Sequence, residues 1–237
     1  NLLQKTFQKV AKNITKKNIT KVDGSTTIYI EELRETYHSK HGAITESDYV
    51  FIKKGVAYWL EKNNKNSCSI FEMGLGTGLN AYLTYVFSQE RKLDCNYTSI
   101  ENFPLTPDDL NLLQFKASLP SEDHHHFFDH IHQTSWEDFQ TLQHFNFKKI
   151  KQDFMTFETK QRYDVMYYDA FGYHAQSDLW QEEALKISYD LLLPGGVWVS
   201  YCAKGVVRRA LQNIGFIVER LEGPPGKREM LRAVKEV

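Results

Sequence analysis

Three glycines at two-residue spacing, Gly74, Gly76 and Gly78, lie between an apolar, strand-like lead-in at Ser69–Phe71 and a helix-forming run that starts at Leu79. Glycine is required where the backbone turns tightly or a ligand approaches it closely. The helix that follows presents unpaired N–H groups at its first turn, a natural cradle for a polar ligand. Glu72, just before the glycines, is the kind of acid a cationic amino-acid moiety requires. Glu101 closes the next strand-like run, Tyr97–Ile100, where one carboxylate can accept two ribose hydroxyls. Together these residues read as a nucleoside site suited to S-adenosylmethionine. The segment Gly76-Thr-Gly78-Leu-Asn-Ala81 also satisfies the looser dinucleotide fingerprint, with an acid about 20 residues on. On the loop alone, NAD, FAD and a purely structural turn therefore stay open.

Two further acids follow strand-like runs: Asp153 after Phe147–Ile150, and Asp169 directly after Tyr163–Tyr168. Ligands of an open α/β sheet sit beyond the carboxyl ends of its strands. Four acids on that edge would repel one another without a cationic or hydroxylated guest. In a methyltransferase reading Glu101 holds the ribose, Asp153 the adenine amine, and Asp169 faces the methyl acceptor. Basic residues gather near the same edge: Lys204, Arg208 and Arg209, then Lys227 and Arg228. They read either as a solvated face or as the footprint of a phosphodiester substrate. The histidines His124, His125, His126, His130 and His132 have no cysteine near them and read as a surface loop, not a metal site. His38 and His41, close to Glu46, are candidates to line a pocket or to pack. Cys202 reads as core.

The elements that must position these groups alternate between strand and helix from Ser69 onward, the pattern of an α/β, mostly parallel, doubly wound sheet. Helices are expected at Gly55–Leu60, through much of Thr106–Phe145, at Asp178–Leu192 with a stop at Pro194-Gly-Gly196, and from Val206 to Asn213. Gly215–Leu221 and Arg228–Lys235 are joined too briefly for a helical crossover, so they should pair antiparallel. A parallel sheet ending in an antiparallel hairpin fits a class I, Rossmann-like methyltransferase better than a dinucleotide dehydrogenase. Residues 1–52 are expected to form a small N-terminal extension and residues 53–237 the catalytic domain. At 237 residues and 41% hydrophobic content the chain is large enough for a full core. No apolar run approaches the ~20 residues of a membrane span, and no signal-peptide core is present. The three cysteines lack metal or disulfide spacing, which points to the cytoplasm. A net charge of −1 argues against a general nucleic-acid binder, but residues 1–22 hold six lysines and no acid. That segment is a solvated tail or a phosphate-contacting arm.

The residues resemble the methyltransferase domain of the bacterial tRNA 5-methylaminomethyl-2-thiouridine biosynthesis family over roughly residues 24–236. The resemblance rests on Glu72-Met-Gly-Leu-Gly-Thr-Gly-Leu-Asn80, Ile100-Glu-Asn-Phe-Pro-Leu105, Asp169-Ala-Phe171 with Leu179-Trp180, Tyr201-Cys-Ala-Lys-Gly205 with Arg208-Arg209, and Gly223-Pro-Pro-Gly-Lys-Arg-Glu-Met230. It implies methyl transfer from S-adenosylmethionine to the exocyclic amine of 5-aminomethyl(-2-thio)uridine at the wobble position of tRNA. Where the family follows Asp-Ala-Phe with a small residue and proline, this chain has Gly172-Tyr173-His174. Larger bifunctional members carry a flavin-dependent oxidase domain, which this chain is expected to lack. An alkyl amine of pKa about 10 is neutral in about one molecule in a thousand at pH 7, and only the neutral form attacks. Asp169 is therefore expected to orient the amine first and to act as base second. The rival readings are a small-molecule or polyamine transferase on the same fold, and a noncatalytic RNA-binding relative.

Overall fold

The computed structural model describes residues 16–20, 26–30, 35–36, 42–112 and 119–237. Most of the lysine-rich N-terminal segment, and His38 and His41, lie outside the described residues. Strands β1 (Lys16–Thr20), β2 (Thr26–Ile30) and β3 (Glu35–Thr36) form a small antiparallel sheet in that order. Ala43–Ser47, Asp48–Ala57 and Tyr58–Asn63 then follow without a break as one helical run, α1, whose middle part has π-helical winding. The helix expected at Gly55 thus begins twelve residues earlier, at Ala43. Residue 52, the expected end of the N-terminal extension, falls inside it.

The main sheet is built from β4 (Ser67–Met73), β5 (Asp94–Ile100), β6 (Phe139–Leu142), β7 (Phe145–Ile150), β8 (Tyr163–Tyr168), β9 (Leu192–Ser200), β10 (Phe216–Glu222) and β11 (Glu229–Lys235), in the order β10-β11-β9-β8-β4-β5-β7-β6. The five strands from β9 to β7 are parallel, while β10, β11 and β6 are joined by antiparallel pairings. The C-terminal hairpin is therefore as expected. The chain reverses its direction of winding between β4 and β8, and the carboxyl ends of those two strands open the crevice where such sheets hold ligands.

Alternation along each central strand explains how both faces become core. Ile70, Val165, Tyr167, Val197 and Val199 pack under α1, α2 (Leu79–Arg91) and α4 (His125–Gln133). Phe71, Met166, Tyr168 and Trp198 face the other way, against α5 (Glu182–Leu191) and α6 (Gly205–Asn213). Helix α1 lies so close to the sheet at Gly55 that an added Cβ would sit 3.1 Å from Val199 and 3.2 Å from Tyr167.

Three local expectations change. The stretch expected to be mostly helical contains α3 (Pro107–Leu112) and α4, but Phe139–Leu142 is a strand, paired with β7 in a hairpin. The Pro194-Gly-Gly196 signal does not end the element. Leu192 pairs with Tyr163 and Val197 with Val165, so a bulge absorbs the proline and glycines within β9. The helix before it begins at Glu182 and ends at Leu191, after a separate 3₁₀ turn at Ser177–Trp180.

Candidate active site

The acids of the sheet edge are set by backbone pairing that continues one residue beyond the strands. Gly74 N donates to Ile100 O at 2.9 Å, Asp169 N to Met73 O at 3.0 Å, and Glu101 N to Ile150 O at 2.9 Å. Glu101 and Asp169 thereby flank the glycine loop from its two neighbouring strands. At Gly74, φ is +95° and an added Cβ would lie 2.7 Å from Asp169 O, so this position excludes any side chain. Gly76 and Gly78 also have positive φ, and Gly78 N closes the turn onto Leu75 O at 2.8 Å.

Glu101 Oε2 accepts from Gly76 N at 3.1 Å and Oε1 from Phe103 N at 2.8 Å. The carboxylate is partly exposed beside the loop, as a diol acceptor must be. Asp153 Oδ1 accepts from Met155 N at 2.9 Å and caps the 3₁₀ turn Phe154–Thr156, leaving Oδ2 on a half-exposed side chain. Asp169 Oδ2 accepts from Asn80 Nδ2 at 2.8 Å. Burial pushes the Asp169 carboxyl up to about 7, with the Asn80 hydrogen bond acting against the shift; Glu46 raises it further and Lys227 lowers it.

Glu72 is placed differently from expectation. It is fully buried, its Oε2 accepts from Ser99 Oγ at 2.7 Å, and burial pushes its pKa up to about 8. It shares the strand face of Ile70 and points beneath α2, so no ligand at the sheet edge meets it directly. The carboxylate that does reach that edge beside Asn80 is Asp169.

The basic residues separate. Lys204, Arg209 and Arg228 are exposed and Arg208 is half-buried. Lys227 is held by Glu46 at 3.0 Å and lies 3.9 Å from the centre of the Tyr201 ring, whose hydroxyl donates to Ala170 O at 2.7 Å. That group from α1, the β10–β11 turn and the end of β9 forms a wall beside Asp169. The departure Gly172-Tyr173-His174 folds as a turn, with Ala175 N donating to Gly172 O at 2.8 Å. Tyr173 meets Lys204 at 5.3 Å from its ring centre and accepts from Gln181 Nε2 at 3.1 Å.

The histidine-rich segment is not a loop. His125–Gln133 is α4, and His132 Nε2 lies 3.1 Å from Thr77 O in the glycine loop. A carbonyl only accepts, so Nε2 carries the proton. Burial, reinforced by Lys149, lowers the His132 pKa to about 4 and keeps the ring neutral. Among the described residues no group of three or more metal-ligating side chains converges. In the sequence His132 figured only as part of a supposed surface loop, the buried Lys149 that caps α4 was not singled out, and Asn80 appeared only within a motif.

The reversed sheet, the glycine loop and the acids on its edge define a class I S-adenosyl-L-methionine-dependent methyltransferase. Residues 122–236 match the family described as S-adenosyl-L-methionine-dependent methyltransferase. Within that class the chain is similar to the methyltransferase part of the MnmC proteins. It is 26% identical over 210 residues to the tRNA 5-methylaminomethyl-2-thiouridine biosynthesis bifunctional protein MnmC of Burkholderia thailandensis, covering 83% of this chain and 32% of that protein. The protein of the same name from Leptospira interrogans is 27% identical over 215 residues, covering 85% of this chain and 32% of its own length. The chain thus spans about a third of the length of these curated relatives. Among solved structures, MNMC2 from Aquifex aeolicus superposes with a TM-score of 0.75 at 23% identity over 92% of this chain and 70% of its own, a likeness of fold.

Proposed function

We propose that this chain methylates the exocyclic amine of 5-aminomethyl(-2-thio)uridine at the wobble position of tRNA, in the cytoplasm. The observation that carries this reading is the placement of Asp169, at the switch point of the sheet, in a chain similar to the methyltransferase part of the MnmC proteins. S-adenosylmethionine, when bound, supplies an electrophilic methyl group. The glycine loop and Glu101 are assigned to hold its ribose side, and Asp153, through Oδ2, its adenine amine.

The chain's own residues then have separable tasks. Asp169 accepts a hydrogen bond from the acceptor amine and orients its lone pair; orientation of this kind supplies much of a transfer rate. Its pKa of about 7 also suits it to take the amine proton near neutrality, since a base works best when its pKa lies near the working pH. Lys227 opposes protonation of any amine bound against that wall, because like charges disfavour each other. Lys204, Arg208, Arg209 and Arg228 are assigned to the phosphates of the anticodon stem-loop, with Lys227 closer to the acceptor.

The rival reading, a transferase for small polyamines, is disfavoured by the same basic residues, which a cationic amine does not need. The assay that decides between them uses labelled S-adenosylmethionine with tRNA carrying aminomethyluridine. Label should appear in methylaminomethyluridine. Label in spermidine or putrescine but not in tRNA would overturn the proposal.

A further inference from the structure

Three buried polar atoms beneath the glycine loop lack hydrogen-bond partners among the described residues: Glu72 Oε1, Asn80 Oδ1 and the Tyr97 hydroxyl. Asn80 and Tyr97 are also the side chains that, with Ser99, bear on the Glu72 carboxyl. The surrounding bonds fix which atoms are donors. Ser99 Oγ–H donates to Glu72 Oε2 at 2.7 Å, and Asn80 Nδ2–H donates to Asp169 Oδ2 at 2.8 Å. Reversing the Asn80 amide would set its oxygen against the Asp169 carboxylate, so Oδ1 must face away from Asp169, into the core. There it needs a donor. An ionised Glu72 offers only acceptors, and two facing acceptors buried together are costly. One proton on Glu72 Oε1 removes the conflict: Glu72 Oε1–H donates to Asn80 Oδ1, and the same oxygen can still accept from Tyr97.

We propose that Glu72 acts as a neutral carboxylic acid, a positioning residue that locks the Asn80 amide so that Asn80 holds the Asp169 carboxylate toward the acceptor amine. The chain runs Ser99–Glu72–Asn80–Asp169 from β5 to β4, through the first turn of α2, to the end of β8. Each member is buried except Asp169, which alone reaches the edge. The burial that keeps the Glu72 proton in place at neutral pH also rules the side chain out as a direct partner for a cationic ligand. This inference rests on the proposed role of Asp169 in methyl transfer. It adds that the first acid of the glycine motif serves the acceptor side, through an amide, and not the cofactor's amino group.

Difference infrared spectroscopy of the purified protein against Glu72→Gln at pH 6 reads the proton directly, without turnover. Asp169 is protonated in both proteins at that pH and cancels in the difference. One additional protonated-carboxyl stretch belonging to wild type is therefore expected, and a difference spectrum without it overturns the proposal. The second readout is the pH profile of methyl transfer to aminomethyl-tRNA. Asn80→Ala removes a donor that favours the Asp169 carboxylate, so the acid limb should move up by about one pH unit. Glu72→Gln keeps an N–H directed at Asn80, so its acid limb should stay at the wild-type position and its S-adenosylmethionine affinity within about threefold by calorimetry, less than one hydrogen bond to a charge. An unmoved limb in Asn80→Ala, or a loss of cofactor affinity beyond tenfold in Glu72→Gln, sinks the relay while wild-type activity stands. A wild-type protein inactive on aminomethyl-tRNA instead removes the functional reading beneath it.

Discussion

Glu101 accepts from two backbone N–H groups, one in the glycine loop and one in the loop that follows it, so its orientation is set before any ligand arrives. Hydrogen bonds to a charged group contribute about 1.5–3 kcal/mol each. Glu101→Ala should therefore weaken S-adenosylmethionine binding at least tenfold by calorimetry, and an unchanged affinity would exclude it from the ribose site. Asp169 is expected to make turnover depend on pH. Its pKa of about 7 means that the carboxylate is the minor form below neutrality, so turnover should rise with pH through about 7. Asp169→Asn should lower turnover strongly, bind cofactor as wild type does, and lose that acid limb. Rate fully restored at high pH would make proton removal its whole task; partial restoration makes orientation the larger share. Both residues were legible in the sequence because the position just after a strand fixes where a side chain emerges. Glu72 is buried where the sequence suggested an acid at the open edge, although the information was there. It lies two residues after Ile70, hence on the same buried strand face, and parity outweighs proximity to the glycines.

Helix α4 shows how an element can reach the site without placing a reacting group in it. Its last carbonyls have no partners within the helix. Lys149, buried on β7, donates through Nζ to Ile131 O at 2.7 Å and to His132 O at 3.3 Å, and lies 4.8 Å from the centre of the Trp136 ring. Two residues of the same turn meet the glycine loop, Ile131 against Gly78 and His132 at Thr77 O. Lys149→Met fills similar volume but leaves both carbonyls unpaired, at a cost of about 1–3 kcal/mol. For a chain of this size that corresponds to roughly 2–4 °C of melting temperature per kcal/mol. Hydrogen exchange in α4 and in the glycine loop should accelerate together. Faster exchange in α4 alone would show that the helix does not support the loop. The sequence concealed this because a strand lysine at alternating positions reads as solvated. It concealed β6 for a related reason: Phe139 on an edge strand is exposed, so no apolar periodicity marked the turn from helix to hairpin. The central strands and the C-terminal hairpin were legible because burial on both faces leaves near-continuous apolar runs. The long helix α1 was not, since Tyr49–Ile52 has that same appearance.

Across the whole molecule the charges near the edge are sorted by sign. Exposed Lys204, Arg209 and Arg228 lie outside, whereas the wall beside Asp169 contains Glu46 and Lys227 already paired with each other at 3.0 Å. In the proposed binding mode a cationic aminomethyl group entering there faces the carboxyl groups of Asp169 and Glu46, the Oε2 of the latter buried without a hydrogen-bond partner among the described residues. A carboxymethylaminomethyl group brings a carboxylate into the same place, where the nearest cation is committed and two acids oppose it; like charges placed together disfavour the ionised forms. Its carboxymethyl group must also be removed oxidatively before a primary amine exists, chemistry that side chains alone do not supply. The 237-residue chain by itself should thus methylate tRNA bearing aminomethyluridine and leave carboxymethylaminomethyl-tRNA unmodified, as read by mass spectrometry of the digested nucleosides. Lys227→Met should not extend the reaction to the carboxylated tRNA, because it removes the only cation of that wall among the described residues. Methylaminomethyluridine formed from carboxymethylaminomethyl-tRNA by this chain alone would show that the acids beside Asp169 do not set the choice of substrate.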